Sequence, residues 1–479
     1  MGKVLIIAEK PSVGQDIAKV LGCNKKGKGY LENERYIVTW AVGHLIGLKM
    51  PGEHDERYKK WNLEDLPMIF QIDNSLKVLP DTAEQFKVVK SLIQSPEVTS
   101  LINAGDAGRE GYLIQSWIYR MAGNRKPVKV LWTSSFTEKA LREAFSNLKE
   151  DSIFRNLLQE AEARAEGDYI LGINYSRLLT LTRAGGNTTL PYGRCQTPLL
   201  YLIVQRDREI EEFVSTPYYN VVADFKKGYS GILVSCNDDE IKKIDFENRE
   251  DAEALAAQCS GKDGTIKKFT QTHKRTQPPL LYNLALLQKT MGSRYGFSSD
   301  YTLSIAQQLY DKYKVMTYPR TDSQCLSTDL RDEILEHLEN CRFGKFQPLI
   351  DKISREAVEK VKKDKRYFND HKVTDHYALI PVDKSTNIAA AYTSMNEDEK
   401  KVFDAVVLSF IAIFYPDCEY ESTEIITVVE GCDFLSRGKE ITNMGFREVL
   451  GIEKAGETEQ DENADQLLPT LEKGDVVHV

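Results

Sequence analysis

Three times within residues 1–150 a short apolar run ends in a polar turn and gives way to helical spacing. Lys3–Ala8 (KVLIIA) stops at Glu9-Lys10-Pro11, and Ile17, Val20 and Leu21 follow at helical intervals. Val98–Ala104 leads through DAGREG into Tyr112–Met121, and Val128–Trp132 precedes SSFTEKALREAF. Parallel strands need long, usually helical, connections, so this alternation predicts a parallel α/β sheet. Ser12 with Gln15 fits a capping box at the first helix.

The pattern then changes. Residues 151–213 are helical in periodicity, and Pro217–Gly264 mixes β-rich runs (Tyr219–Phe225, Gly231–Ser235) with one short helix. Thr272–Pro279 is polar and ends in Pro-Pro, which reads as a linker. Leu284–Tyr313 is helical, Asp398–Phe414 is helical again, and Tyr420–Val429 is β-like. The only biased segment is the acidic Glu457–Asp465. At 479 residues the chain exceeds a single hydrophobic core, so a multidomain α/β and α+β protein is expected.

Composition narrows the classes. No apolar run is long enough to span a membrane, and MGKVLIIAEK reads as a buried strand, not a signal peptide. The eight cysteines are scattered with no CxxC pair, which argues against a zinc ribbon and suits a reducing, cytoplasmic compartment. The net charge of −9 argues weakly against a polyanion partner, but it is unevenly spread. Gln271–Arg320 carries seven Lys/Arg against two Asp/Glu, while Glu453–Val479 carries two against eight, so an acidic tail can hide a basic groove in the total.

Two clusters carry chemistry. Ligands gather beyond the carboxyl ends of strands in α/β sheets, where Glu9, Asp106 and Glu110 fall. Converging carboxylates repel unless a divalent cation joins them, and oxygen-only donors suit Mg²⁺. Gly105, Gly108 and Gly111 would allow close backbone approach to a phosphate. The alternative is a plain Asp-Gly turn with a surface Arg-Glu pair. The second cluster is VMTYPRTDS, in which Tyr318 precedes Pro319 and should therefore be extended, with Arg320 on its face. A phenol stiffened by proline beside a guanidinium suits attack on a phosphodiester. The alternative is a buried tyrosine with a structural arginine.

VLIIAEKPSVGQDIAKVL, TWAVGHL, DAGREG, ARAEGDYILGINYSR, PYGRCQTP and TYPRTDS occur in this order. Together they resemble the type IA DNA topoisomerases, bacterial topoisomerase III most closely. The resemblance implies a Toprim domain over residues 1–150, with the metal site. It implies a helical single-strand DNA-binding domain over 151–215 (first part) and a β-rich arch domain over 216–272 (first part). A domain carrying the nucleophilic tyrosine would cover 273–384, and the rest of the arch 385–479, the whole forming a torus. It further implies Mg²⁺-dependent, ATP-independent cleavage of one strand through a 5′-phosphotyrosine, strand passage and religation, which relaxes negative supercoils and decatenates DNA. A Toprim primase or nuclease would share the acidic loop but would have no use for TYPRTDS.

By the same resemblance Tyr318 is the nucleophile with Arg320 beside it, Lys10 steadies the scissile phosphate, and Glu9 serves as acid and metal ligand. Asp106 and Glu110 complete the metal set. DNA contacts fall to His44, Trp61, Arg164, Asp168, Asn174, Ser176, Arg177, Tyr192, Gly193, Arg194, Cys195, Gln196 and His376. Single-stranded, supercoiled or catenated DNA would be the partner, with a RecQ-type helicase or single-strand binding protein beside it, for a monomer in a bacterial nucleoid. The chain departs from the pattern at Gly108, where many relatives carry a further acid, and at Tyr112. It also shows no counterpart of the family's usual C-terminal continuation, so the expected alternative is a truncated form that binds and cleaves single strands without productive relaxation.

Overall fold

A computed structural model describes residues 2–133, 138–185, 188–237, 240–373, 376–384, 386–452, 466 and 468–479. The acidic Glu457–Asp465 segment lies outside them, as do residues 134–137 of SSFTEKALREAF. The chain divides into two compact units, Met1–Phe213 with Val373–Tyr377, and Val214–Lys372 with Ala378–Val479.

The first unit runs β1 (Lys3–Ala8), α1 (Pro11–Leu21), β2 (Lys25–Gly27), β3 (Tyr30–Glu32), β4 (Tyr36–Trp40), β5 (Ile46–Leu48), α2 (Pro51–His54), α3 (Ile72–Ser75), β6 (Leu76–Val78), α4 (Ala83–Gln94) and β7 (Val98–Ala104). It continues with α5 (Arg109–Ala122), β8 (Val128–Val130), α6 (Glu138–Ser146), β9 (Lys149–Glu150), α7 (Arg155–Arg183) and α8 (Gln196–Glu211). A seven-stranded sheet has the order β2-β3-β4-β1-β7-β8-β9. Strands β4, β1, β7 and β8 are parallel, as the alternation predicts, and short antiparallel strands close both edges.

Successive residues of a strand face opposite ways, so β1 feeds two cores. Leu5 and Ile7 pack with Phe86, Val89 and Ile93 of α4 and with Leu113 and Trp117 of α5. Ile6 and Ala8 pack with Val13 and Ile17 of α1 and with Leu141 of α6. Coverage on both faces is why KVLIIA is uninterruptedly apolar. The capping box expected at Ser12 does not form. Pro11 takes the first helical position behind Lys10, and no side chain caps the turn. Proline's fixed φ and missing N–H suit that position, so the helix starts early and leaves Ser12 inside it.

The second unit holds a seven-stranded antiparallel sheet built on β10 (Val222–Phe225), β11 (Tyr229–Asn237), β12 (Glu240–Lys243), β13 (Asp263–Thr276), β14 (Cys418–Val429), β15 (Cys432–Asn443) and β16 (Val476–His478). Its order is β10-β11-β15-β14-β13-β16, with β12 on β11. The helix α9 (Arg249–Cys259) packs on this sheet. Of the polar stretch Thr272–Pro279 expected as a linker, Thr272–Thr276 is instead the end of β13, paired with β14 through Thr276↔Cys418, and only residues 277–279 lie outside the strand. Its side chains are mostly exposed, so the two-residue alternation that betrays a half-buried strand is missing there. Leu284–Tyr313 divides into α10 (Leu284–Tyr295) and α11 (Ser299–Asp311). Gly296 ends the first in the left-handed region at φ 69°, and the Ser298 hydroxyl accepts from Tyr301 N–H to open the second.

Ile7 is fully buried at the centre of the first unit. Ile7→Ala is expected to destabilise that unit by about 2–5 kcal/mol in chemical denaturation. A change within error would contradict the burial of Ile7 in that core.

Candidate active site

The acidic pocket follows from strand register. Ala8 of β1 lies opposite Ala104 of β7, so Glu9 and Asp106 leave the same end of two adjacent parallel strands. Glu9 Oε2 accepts the Asp106 N–H at 3.0 Å. Lys10 Nζ donates to Asp106 Oδ2 at 2.7 Å, and His376 Nε2 lies 3.3 Å from the same oxygen. The other carboxylate oxygen, Oδ1, is buried and has no hydrogen-bond partner among the described residues. Gly111 of α5 makes the packing possible. A Cβ there would stand 2.4 Å from the Asp106 carbonyl oxygen and 2.7 Å from Glu9 Oε2.

The two carboxyls are pushed apart in acidity. Burial, and then the neighbouring Asp106 charge, raise Glu9 above the usual carboxylate range. Burial also acts to raise Asp106, but the hydrogen bond from His376 and the Lys10 charge outweigh it and hold Asp106 below its usual value. Two neighbouring carboxyls shifted in opposite directions are a pairing suited to proton transfer.

Glu110, expected as a third member, turns to His44 instead. His44 Nε2 lies 3.0 Å from Glu110 Oε1, which raises the imidazole despite partial burial and lowers the carboxyl. Among the described residues no three His, Cys, Asp or Glu side chains form a metal-ligand cluster. Glu9 with the unpartnered Oδ1 of Asp106 still fits Mg²⁺, which binds through one or two carboxylates and keeps most of its water. Tyr112, at another departure from the pattern, is engaged with Asp151 Oδ1 at 2.5 Å and stacks on Phe154, and burial followed by that carboxylate raises its phenol.

The predicted DNA-side residues gather on α7 and on the Tyr192–Gln196 loop laid along it. Ser176 Oγ accepts from Tyr192 N–H, Asp168 accepts from Arg194 Nε at 2.7 Å, and the Tyr175 and Tyr192 rings lie 4.8 Å apart. Within the loop Thr197 Oγ1 accepts from Gly193 N–H. Arg164, Asp168, Arg194, Cys195 and Gln196 are exposed. Two members are committed inward. The Asn174 amide bonds both the N–H and the carbonyl of Met68, and Arg177, only 4% exposed, donates to the Tyr58 carbonyl with its guanidinium 4.9 Å from the Trp61 ring centre. These two fasten the loop that presents Trp61.

Tyr318 belongs to the second unit. The chain is extended up to Thr317, whose N–H donates to Ile380 O. The Thr321 N–H then returns to the Pro319 carbonyl, closing a tight turn centred on Arg320. Strand geometry therefore does not place Arg320 beside Tyr318. The arginine is exposed and the tyrosine half-buried. The Tyr318 ring meets Tyr310 at the end of α11 edge-on, with centres 5.3 Å apart. Sequence reasoning missed Tyr310, because nothing in a helical pattern marks which aromatic meets a distant loop.

A parallel sheet with paired acids at its strand ends, joined to a unit built on a long antiparallel sheet, defines a Toprim-bearing chain of the topoisomerase class. A sequence profile described as Toprim domain matches residues 4–133, and one described as DNA topoisomerase matches residues 152–479. The chain belongs to the type IA DNA topoisomerase family. Its sequence is 38% identical over 479 residues to DNA topoisomerase 3 of Bacillus subtilis (strain 168) and 40% identical to that of Bacillus anthracis. In both cases all of this chain is matched, and it spans 64% of the relative's length. The full-length topoisomerase I structure from Thermotoga maritima superposes with a TM-score of 0.63 at 23% identity, covering 99% of this chain and 70% of that one. That likeness shows the fold.

Gly111→Ala should cost about 1–3 kcal/mol, because backbone must move to admit the methyl. Unchanged denaturation would mean the loop yields freely. For His44 and Glu110, the stabilisation is full between the ordinary carboxylate and ordinary imidazole pKa values. It declines as pH rises from the ordinary histidine range through the raised His44 value, and as pH falls from the ordinary carboxylate range through the lowered Glu110 value. Both side chains are well exposed, so the pair is worth at most about 1 kcal/mol. NMR titration should show His44 above the ordinary histidine range and returning toward it in Glu110→Gln. An identical titration in both proteins would contradict the pairing.

Proposed function

We propose that this chain carries the strand-cleaving and rejoining chemistry of an ATP-independent DNA topoisomerase resembling topoisomerase III. Its substrate would be single-stranded segments of negatively supercoiled or catenated DNA. The observation that carries the reading is the close pairing of half-buried Glu9 with buried Asp106, with one carboxyl biased toward its protonated form and the other toward its ionised form. By the motif resemblance of TYPRTDS, the nucleophile in this reading is Tyr318.

In this reading the Tyr318 phenol gives its proton to solvent and its oxygen attacks the phosphorus of a phosphodiester. The bond from phosphorus to the 3′ oxygen breaks, leaving a 5′-phosphotyrosine and a free 3′ hydroxyl. Glu9, biased toward its protonated form by burial and by the Asp106 charge, supplies the proton to the departing oxygen. Lys10, already placed on Asp106, offers a positive charge to the phosphate, and Arg320 offers an exposed guanidinium. In the return step the 3′ hydroxyl attacks and gives its proton to Glu9, and the departing tyrosine oxygen takes a proton from solvent. The ester keeps the energy of the broken bond, so no nucleotide is consumed, in keeping with the lack of a GxxxxGK[ST] loop in the sequence. Glu9 and Asp106 would hold Mg²⁺, which supplies charge neutralisation for phosphates when bound.

Strand binding falls to α7, the Tyr192–Gln196 loop and the Trp61 loop, where exposed arginines and aromatic rings suit sequence-tolerant contact. A second reading is binding and cleavage without relaxation. The observation beside it is α8, whose Leu199, Leu200, Tyr201, Leu202 and Ile203 are all more than half exposed and present an apolar surface. A single-strand binding protein or a RecQ-type helicase is the partner this reading would add.

Incubation with a labelled single-stranded oligonucleotide and Mg²⁺, followed by denaturation, should leave DNA attached to the protein. Tyr318→Phe should abolish the adduct, and Glu9→Gln should slow its formation by about 10²–10⁴-fold. An adduct that survives Tyr318→Phe would refute the assignment. Plasmid relaxation by the parent chain separates the two readings: adduct with relaxation supports the first, adduct without it the second. Binding should weaken steeply with salt.

A further inference from the structure

We propose that Cys259 and Cys432 form a reversible thiol–disulfide pair that pins α9 to the β14–β15 hairpin, with a low-molecular-weight disulfide as the oxidant. The two cysteines are far apart in sequence but are brought to one place by three independent contacts. Cys432 opens β15 directly opposite Val429, across the two-residue turn Glu430-Gly431, both of whose residues have positive φ. Cys259 closes α9, and its thiol lies 3.8 Å from the carbonyl oxygen of the same Val429. The neighbouring Gln258 side chain reaches the Glu430 carbonyl, so the helix end sits against the hairpin turn. Both sulfurs join one apolar cluster with Phe434, Ile266 and Val429.

Exposure sets the order of events. Cys432 is half-buried and open to a small reagent, whereas Cys259 is 2% exposed. Burial, followed by its contact with Cys432, raises the Cys259 thiol to about 11, so it is a poor first nucleophile. The Cys432 thiolate attacks the reagent disulfide, forms a mixed disulfide and releases one thiol. Cys259 then loses its proton to solvent and attacks the Cys432 sulfur, releasing the second thiol. Two protein thiols and one external disulfide become one protein disulfide and two external thiols, so electrons and protons balance.

The link would lie at the sheet end of the β13–β14 ribbon. Cys259 precedes the start of β13 at Asp263, and Cys432 follows the end of β14 at Val429. The loop closed between them contains α10, α11 and Tyr318. Closing so long a loop restricts the unfolded chain more than the folded one, so oxidation should raise the thermal midpoint.

The test treats the folded chain with oxidised glutathione, blocks remaining thiols after denaturation and maps peptides by mass. The expected result is a cross-linked pair containing Cys259 and Cys432, lighter than the free thiols by two hydrogens, about 2 Da, and restored by dithiothreitol. Cys259→Ser should leave glutathione attached to Cys432, and Cys432→Ser should leave Cys259 unmodified. A parent chain that retains glutathione on Cys432 with Cys259 free, or in which both thiols are alkylated, overturns the proposal.

Discussion

The register that sets Ala8 of β1 opposite Ala104 of β7 is the constraint on which the candidate site depends. A slip of one residue would turn every side chain of β1 to the other face and separate Glu9 from Asp106. The register is held from both sides, because the two cores of the first unit draw alternate residues of the same strand. Putting two carboxyls together in a poorly solvated place is unfavourable. The Asp106 N–H, Lys10 and His376 offset that cost unequally, which is what separates the two acidities. Gly111 belongs to the same design, since any side chain there would meet backbone.

Around that pocket, α7 acts as a rail to which irregular segments are fastened by single side chains. Thr180, Ser176 and Asp168 each receive a group from the chain between Leu190 and Arg194, and Asn174 and Arg177 secure Met68 and Tyr58. Polar residues spread around a long helix would otherwise suggest a solvated rod. Here they satisfy backbone groups of loops that have no ladder of their own. The loops carrying Trp61 and Tyr192 are thereby held against the helix by contacts of their own backbone and side chains.

Much of the first unit was legible because local physics determined it. The bounds of β1 and β7 match the apolar runs residue for residue, and the parallel pairing follows from alternation. Other expectations yielded to competing effects. Pro11 displaced the capping box at Ser12, and pairing with β14 turned a polar linker into strand. The tight turn at Arg320 overrode strand geometry, and the imidazole of His44 drew Glu110 away from a cluster of three. Each outcome depends on a partner that no short window of sequence contains.

The amino-acid order by itself determined the α/β character of the first unit, the position of its acids at strand ends and membership of a topoisomerase family. These rest on periodicity, turn chemistry and ordered motifs, all of which are local. Only the tertiary structure decided that His376 and Lys10 share one oxygen of Asp106, that Arg177 lies under Trp61, that Tyr310 meets Tyr318, and that Cys259 faces Cys432. Such contacts join residues widely separated in the chain, and their strength comes from burial and orientation. Neither exists until the core has formed.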